Sequence, residues 1–229
     1  MTEIVPNFRD LGGTPTADGA VVRQGSILRS AMPAAQDSVP DEISWPPSVV
    51  IDLRSPFESE PQHPLQGMGS QVFNLPLLAA LEPGVTPPSD LPGLYRVMLD
   101  YAEHNLVEIV RVAGSHSGST LIHCAAGKDR TGVAVALLLR LVGVAREHVV
   151  ADYLTSLEHI EAIGRRLAQM PGHEDRKALP TSFLAVPVEA IEGVLDVWDQ
   201  HDGGTEGWLR GAGAAPGLTD KLRQNMLAD

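Results

Sequence analysis

The sequence predicts an α/β domain with a central, mostly parallel sheet flanked by helices, and with a helix-rich C-terminal third. Short apolar segments typical of strands alternate with longer segments of helical spacing, which is the pattern of such a fold. Nearly every side chain of segment 131–142 is apolar, as expected of a helix buried all round. The 229 residues suffice for one domain with a sizeable core. We therefore expect a single domain over 1–229, with a helical lid or insertion accommodated within 146–182.

Short apolar runs bounded by turn residues predict the strands. The run over 48–53 is the candidate central strand, and its polar end carries Asp52 and Arg54. Pro76 limits the run over 72–77 to a sheet edge or a strand end. The other predicted strand segments are a hairpin around Asp18-Gly19 that continues to Ser30, and the short run 120–123 before Cys124.

Helical spacing and end signals predict the helices. Asp90 can cap a helix that runs to about Arg111, with Gly114 just past its end. The apolar segment 131–142 follows the cysteine directly. Further helices are predicted over 146–170, over 188–198, around Trp208 and around Leu222.

The charge of the chain limits its partners. The formal net charge is -12 and the pI is about 5.0, so neither nucleic acid nor an anionic membrane suits the surface as a whole. The longest apolar stretch, 132–145, is interrupted by Arg140 and is too short to span a bilayer. The first ten residues lack the apolar core of a signal peptide. These features predict a cytoplasmic protein without stable membrane insertion, and they carry no signal for an oligomeric state.

Cys124 is the only cysteine of the sequence, so an intramolecular disulfide and a cysteine metal cluster are both excluded. The eight histidines show no His-Glu-x-x-His or other ligand spacing, and we expect no metal and no cofactor. The thiol is then either a buried packing residue or a reactive group. Its neighbours in the chain favour the second.

The segment 123–132, His-Cys-Ala-Ala-Gly-Lys-Asp-Arg-Thr-Gly, is the most informative part of the chain. If each of six fixed positions matches by chance with a frequency of roughly one in twenty, a random sequence would contain this motif at only about one starting position in tens of millions. A predicted strand enters the segment and a predicted helix leaves it, so its backbone N–H groups can turn inward at the positive end of a helix dipole. This geometry predicts a cradle for an anion such as phosphate.

The residue types of the loop suit that cradle. Ala125, Ala126 and Gly127 are small, so the backbone itself can approach a phosphate. Arg130 is a planar fork that can grip two phosphate oxygens. The same positive field favours a thiolate at the cysteine, which makes a nucleophile aimed at phosphorus. Lys128 is a second cation and suits multiply charged phosphates.

The loop resembles the Cys-x5-Arg signature of the protein tyrosine phosphatase superfamily, and Lys128-Asp129 narrows the resemblance to the bacterial tyrosine-phosphatase-like branch. Supporting segments cover essentially the whole chain: 7–13, Asn-Phe-Arg-Asp-Leu-Gly-Gly; 28–30, Leu-Arg-Ser; 52–55, Asp-Leu-Arg-Ser; 74–77, Asn-Leu-Pro-Leu; and 152–154, Asp-Tyr-Leu. The resemblance implies a single phosphatase domain that hydrolyses phosphate monoesters without a metal. It implies phosphoprotein or phosphoinositide substrates. Secretion stays open, since related bacterial enzymes can act outside the cell without a plain signal.

The resemblance also implies a two-step mechanism. Cys124 forms a phosphocysteine, Arg130 and the loop amides stabilise charge on the phosphate oxygens, and water then releases phosphate. Thr131 can donate a hydrogen bond to the sulfur. The general acid has two candidates, Asp52 at the end of the central strand and Asp129 inside the loop, and of these we favour Asp52.

Two other classes of protein share part of this pattern. A sulfur-transfer or thiol-redox enzyme also presents a thiolate from a loop. However, the five residues between Cys124 and Arg130 favour phosphate, and the chain has no second cysteine to act as a resolving thiol. A catalytically inactive phosphate-binding module would have lost the cysteine, the arginine or the acid, and all three are present.

Several residues near the motifs are expected to support the site rather than to react. Arg9 and Asp10 are predicted to form a structural pair. His123 precedes the nucleophile on a strand and should point away from it, which suits an organiser of the loop. For Asp152 and Tyr153, helix packing is the expected role.

Overall fold

The computed structural model describes residues 4–59, 61–81, 86–169 and 185–228, and this part of the chain contains a five-stranded sheet. The strands are β1 (Arg9–Asp10), β2 (Ile27–Ser30), β3 (Val49–Asp52), β4 (Gln71–Asn74) and β5 (Thr120–His123). Their order is β1-β2-β5-β3-β4, with β1 antiparallel to β2 and the other neighbours parallel. The predicted α/β class with a mostly parallel sheet is confirmed.

Helices make up most of the remaining described structure. They are α1 (Leu91–Tyr101), α2 (Glu103–Ser115), α3 (Asp129–Leu141), α4 (Arg146–Thr155), α5 (Ile160–Ala168), α6 (Val188–Asp199), α7 (Gly204–Gly211) and α8 (Leu218–Met226). Short 3-10 helices occur at Pro56–Glu58, Gln66–Met68 and Ser156–His159. The helix-rich C-terminal third is therefore confirmed.

Alternate residues of the strands supply two separate cores, as the side-chain period of two requires. Ile51 and Ile122 face a large core with side chains from seven of the eight helices above, α5 contributing only a partly buried residue. Val50 and Leu121 face a smaller core that the segment 5–8 helps to complete. Both faces of the central strands are covered, which explains their continuous apolar sequences.

The predicted strands lie where the apolar runs placed them. The run over 48–53 forms β3, and the run over 72–77 forms β4, an edge strand that ends before Pro76. The hairpin predicted near Asp18-Gly19 is a tight turn, closed by a bridge between Pro15 and Val21.

The helix predicted from Asp90 to about Arg111 is two helices, because α1 ends at Tyr101 and α2 begins at Glu103. Asp90 caps α1 as predicted, since its carboxylate accepts a hydrogen bond from the N–H of Gly93 at 2.8 Å. The cap therefore determines where the first helix begins, while the interruption at position 102 was not visible in the spacing.

The prediction that Gly114 lies just past a helix end is wrong, because α2 continues to Ser115. A Cβ atom on Gly114 would lie 3.1 Å from the backbone nitrogen of Leu222 in α8. The glycine therefore serves the close approach of two helices and not the termination of one.

The segment predicted as helical over 146–170 contains α4, a 3-10 helix and α5. Residues 170–184 lie outside the described residues, so the lid or insertion within 146–182 stays a prediction. Among the described helices, none combines the length and the apolar character needed to cross a membrane.

The register of the sheet brings the ends of three strands to one level. Asp52 of β3 and Ser30 of β2 both pair with His123 of β5. Because these strands are parallel, Cys124 emerges from the middle of the sheet between two other strand ends. This edge is where ligands commonly bind in open α/β sheets.

Candidate active site

The loop from Cys124 to Arg130 joins β5 to α3, and its carbonyl groups are turned outward. The carbonyl oxygens of residues 124–127 each accept a hydrogen bond from a group that lies outside the loop. The donors are His123 Nδ1 to Cys124 O (3.1 Å), Met32 N to Ala125 O (3.1 Å), and Asn7 Nδ2 to Ala126 O (3.3 Å) and to Gly127 O (2.9 Å). In a trans peptide the C=O and the following N–H point in opposite directions. The amides of residues 125–128 therefore face the inside of the loop, as an anion cradle requires.

The sulfur of Cys124 lies at the bottom of this cradle, with the residue 2% exposed. The backbone N–H of Gly127 donates a hydrogen bond to the sulfur at 3.2 Å. Gly127 has a φ of 67°, and a Cβ atom there would overlap the carbonyl of Ser30 at the end of β2. Only glycine can pass so close to the neighbouring strand in this conformation, which explains the glycine of the motif.

Arg130 is held by Glu58, a residue that the sequence analysis did not single out. Its Nη1 and Nη2 atoms donate to the two carboxylate oxygens of Glu58 at 2.6 and 2.9 Å. Burial by itself lowers the pKa of Arg130, but the negative charges of Cys124 and Glu58 outweigh burial and raise it. The capping-box spacing of Ser55 and Glu58 was visible in the sequence. However, that spacing contains nothing that points to a contact 72 residues away.

Behind the loop, an ion cluster ties the first strands to α4. Asp152 accepts from Arg9 Nε at 2.7 Å and from Arg29 Nη1, while Arg29 Nη2 donates to the carbonyl of Gly127 at 2.8 Å. Burial raises the pKa of Asp152, but the two arginines more than offset burial and lower it. The cluster keeps the outer side of the loop fixed.

These contacts correct two predictions. Arg9 pairs with Asp152 and not with Asp10, whose carboxylate instead accepts from the N–H groups of Gly12 and Gly25. Consecutive side chains of a strand point to opposite faces of the sheet, so the side chains of Arg9 and Asp10 do not face each other. Asp152 has an ionic role beyond the helix packing that was expected of it.

Asp52 lies at the end of β3 and is almost completely buried, with its side chain 4% exposed. Arg54 donates to both of its carboxylate oxygens, from Nε at 3.0 Å and from Nη2 at 2.7 Å. Burial alone raises the pKa of Asp52, but electrostatic interactions with His123 and Arg54 and the hydrogen bonds of Arg54 lower it to about 2. The carboxylate is therefore ionised at neutral pH and engaged by its own neighbour.

Asp52, His63 and His123 bring potential metal-ligand atoms within 4.8 Å of one another. Hydrogen bonds account for the two imidazoles. His63 Nδ1 accepts from the N–H of Leu65, so its Nε2 carries the hydrogen and donates to His123 Nε2 at 2.9 Å. His123 Nδ1 in turn donates to the carbonyl of Cys124. The nitrogens that a cation would use are thus engaged, and His123 orients the loop as the strand position suggested.

The two histidines are held neutral by their surroundings. Burial, followed by repulsion from His123 and Arg54, lowers the pKa of His63 to about 3, and burial likewise lowers the pKa of His123. A neutral imidazole can donate with one nitrogen and accept with the other. The chain of hydrogen bonds therefore has a defined direction, from Leu65 through both rings to Cys124.

Asp129 is the first residue of α3 and keeps 20% of its side chain exposed. Its Oδ1 accepts a hydrogen bond from the hydroxyl of Tyr95 at 2.8 Å, and Lys128 Nζ lies 3.6 Å from the same oxygen. Burial raises the pKa of Asp129, and Lys128, Tyr95 and Arg130 offset only part of that rise. This carboxyl can hold a proton more easily than Asp52 can.

Lys128 and Thr131 have surroundings that the sequence did not predict. Lys128 is buried, and its Nζ donates to the carbonyl of Ala185 at 2.6 Å. Thr131 is fully buried, and its hydroxyl has no hydrogen-bond partner among the described residues, so the predicted bond to sulfur is not made in this structure.

The sequence of this chain is similar to those of known phosphatases. A sequence model of the tyrosine phosphatase family matches residues 1–228. A putative tyrosine-protein phosphatase of Cupriavidus necator is 30% identical over 227 residues, which cover 92% of this chain and 82% of that protein. The triple specificity protein phosphatase PtpB of Mycobacterium tuberculosis is 34% identical over 119 residues, 47% of this chain and 43% of PtpB. A tyrosine-protein phosphatase of Nostoc commune is 29% identical over 146 residues, 59% and 49% of the two chains.

Proposed function

The chain belongs to the tyrosine phosphatase family and is a phosphatase that acts on phosphorylated substrates, and from this premise we propose which residues perform the reaction. Cys124 is the nucleophile, Arg130 and the amides of residues 125–128 hold the phosphate, and Asp129 is the general acid. One observation carries the proposal. The carbonyls of the loop are bound from outside while the N–H of Gly127 donates to the sulfur, so positive amide dipoles surround the reacting atom.

In the first step the thiolate of Cys124 attacks phosphorus and forms an S–P bond. The P–O bond to the substrate breaks, and Asp129 gives its proton to the departing oxygen. In the second step Asp129, now a carboxylate, accepts a proton from a water molecule that attacks phosphorus. The S–P bond breaks, inorganic phosphate leaves and the thiolate is restored.

We assign the acid to Asp129 and not to Asp52, which the sequence analysis had favoured. Asp52 has a pKa of about 2 and both of its oxygens bound to Arg54, so it carries no proton to give at neutral pH. Asp129 has a raised pKa, lies within the loop and is partly exposed. General acids work best when their pKa is near the operating pH, which supports Asp129.

The proposal extends to the range of substrates. Lys128 places a second positive charge next to the loop, and multiply charged phosphates gain from a second cation. We therefore propose phosphoinositides as substrates in addition to phosphoproteins, with Lys128 as the residue that favours them.

The remaining assignments follow the sequence. We propose that the whole of 1–229 acts as one phosphatase domain and that the protein works in the cytoplasm. The match of the family over 1–228 supports the first of these proposals. Cell fractionation with an antibody against the protein tests the second.

The experiment that tests the function is a panel of an aryl phosphate, phosphopeptides and phosphoinositides, with phosphate release as the readout. We expect turnover by the wild type and its loss in Cys124→Ser, with vanadate binding retained. Lys128→Ala should lose more activity on phosphoinositides than on the aryl phosphate. Lys221→Ala, which changes an exposed lysine in α8, is the matched control and should be unchanged.

Each alternative has its own outcome in the same panel. Tight phosphate binding without turnover would identify an inactive binding module. Sulfur transfer from thiosulfate without phosphate release would identify a thiol enzyme. Equal losses of Lys128→Ala on lipids and on the aryl phosphate would remove the proposed role of Lys128.

A further inference from the structure

A short chain of buried hydroxyl groups leads from the helical layer to Asp129. Tyr95 of α1 and Tyr153 of α4 are each 1% exposed. The hydroxyl of Tyr95 lies 2.8 Å from Asp129 Oδ1 and 2.9 Å from the hydroxyl of Tyr153. The two rings pack edge to face, with their centroids 6.3 Å apart. Two phenols from different helices thus meet behind one carboxyl group.

The protons of this chain have one arrangement when Asp129 is ionised. A carboxylate only accepts, so Tyr95 must donate its single hydrogen to Asp129. Tyr153 must then donate to Tyr95. The contacts of Tyr95 and Lys128 are both made to Oδ1, which leaves Oδ2 as the oxygen that we assign to the transferred proton.

The sequence motif contains a residue that makes room for this chain. A Cβ atom on Gly132, the last residue of the motif, would lie 3.1 Å from Cδ2 of Tyr153. A larger residue at position 132 would therefore require the ring of Tyr153 to shift by a few tenths of an ångström. This contact connects α4 to the first turn of α3, where Asp129 lies.

We propose that Tyr95 and Tyr153 are positioning residues for the reaction: they orient Asp129 through its Oδ1 and stabilise the carboxylate left after proton transfer. This inference rests on the proposed role of Asp129 as the general acid. Neither tyrosine touches the substrate in this account. Their effect reaches the reaction only through the orientation and the protonation of one carboxyl group.

The charges around Asp129 determine the direction of the expected effect. Lys128 and Arg130 face it from its own segment, Tyr95 from α1, and Tyr153 from α4. Arg29 of β2 and Glu189 of α6 act in turn on Tyr153, with opposite effects on its pKa. The hydrogen bond from Tyr95 favours the charged form of the carboxyl. Removing that hydroxyl while keeping the ring must therefore make the proton of Asp129 harder to lose.

The test compares Tyr95→Phe, Tyr153→Phe and wild type by the pH dependence of kcat/KM on phenyl phosphate, a poor leaving group. We expect the high-pH limb of Tyr95→Phe to move upward by on the order of one pH unit, since the lost bond is one to a charged acceptor. Tyr153→Phe should move the limb less and in the same direction. Tyr101→Phe is the matched control, because Tyr101 is on α1 but 73% exposed, and its limb should stay in place.

A second measurement separates this inference from the proposed function. Carboxyl carbons of 13C-labelled aspartate are titrated by NMR, and the signal missing in Asp129→Asn identifies Asp129. An upward shift of that titration in Tyr95→Phe, together with the moved limb, supports the inference. An unmoved titration, or an equal loss of rate at every pH, overturns it. If the titration of Asp129 moves but the high-pH limb does not, Asp129 is not the general acid, and the role of the tyrosines in catalysis is overturned with it. The effect of the Tyr95 hydroxyl on Asp129 would still be supported.

Discussion

The site contains two aspartates, one buried and one partly exposed, whose surroundings have opposite effects on the pKa. On the sheet side, Asp52 has both oxygens bound to the guanidinium of Arg54, and its pKa falls to about 2. On the helix side, Asp129 has a phenol as its hydrogen-bond partner and a pKa above the ordinary value. The same residue type is thus an anion at neutral pH in one place and has a raised pKa in the other.

The partners of each carboxyl group decide whether the effect of burial on its pKa is overcome. Burial raises the pKa in both cases. At Asp52, the interaction with His123 and a bidentate arginine with a full charge and short bonds together outweigh burial. At Asp129, the charge of Lys128, the neutral donor Tyr95 and the charge of Arg130 offset only part of the effect of burial. Asp129 directly follows Lys128 in the sequence, and yet its pKa stays above the ordinary value. A cation next to an aspartate in the sequence therefore does not by itself decide the charge of that aspartate.

The largest effect should come from removing the two carboxyl groups in turn. Asp129→Asn should lower kcat on phenyl phosphate by roughly 100-fold or more, because the departing oxygen loses its proton source, and should affect p-nitrophenyl phosphate much less. Asp52→Asn should show no such dependence on the leaving group. Steady-state kinetics with both substrates checks this, and a leaving-group effect confined to Asp52→Asn would reverse the assignment.

The sheet-side aspartate should instead matter for stability. Asp52→Asn should lower the free energy of unfolding at pH 7 by about 3 kcal/mol, because it leaves Arg54 buried without its counter-ion. The folded pKa of about 2 lies below the unfolded value of about 3.9, so this stabilisation is present above about pH 4 and is lost as pH falls toward 2. Urea unfolding of wild type and variant at several pH values measures both effects.

A matched control for that experiment is Asp18→Asn, which breaks a surface ion pair with Arg223. Such exposed pairs contribute little, and the variant should unfold like the wild type at pH 7. The ionised state of Asp52 would be refuted if Asp52→Asn also unfolded like the wild type at pH 7. It would equally be refuted if the variant lost as much stability as the wild type between pH 4 and pH 2.

The smallest of the three effects should come from Glu58, the residue that holds Arg130. Glu58→Gln keeps the shape of the side chain but removes the charge that holds Arg130, and we expect kcat/KM to fall about tenfold, mainly through orientation. Glu108→Gln is the control, because Glu108 makes a comparable contact with Arg111 on the exposed side of α2. A fall of equal size in both variants would show that the loss is not specific to Arg130.

The sequence predicted the parts of the site that are contiguous. Cys124, the small loop residues and Arg130 follow one another, and the glycine at 127 is required by a local conformation. The strand before the loop and the apolar helix after it are also contiguous with it, so their patterns were sufficient to predict how the cradle is built. Local sequence determines local backbone, and that is why the shape of the loop that carries the proposed nucleophile and phosphate site could be predicted.

The partners of the reactive groups were decided by the tertiary structure. Glu58 reaches Arg130 across 72 positions, Tyr95 reaches Asp129 across 34, and Asp152 reaches Arg29 across 123. No spacing rule relates residues so far apart, because their approach depends on how helices pack on the sheet. Whether a carboxyl keeps its proton depends on burial and on such partners. The chain alone could therefore name two candidate acids, and our proposal of Asp129 rests on contacts that only the packed fold creates.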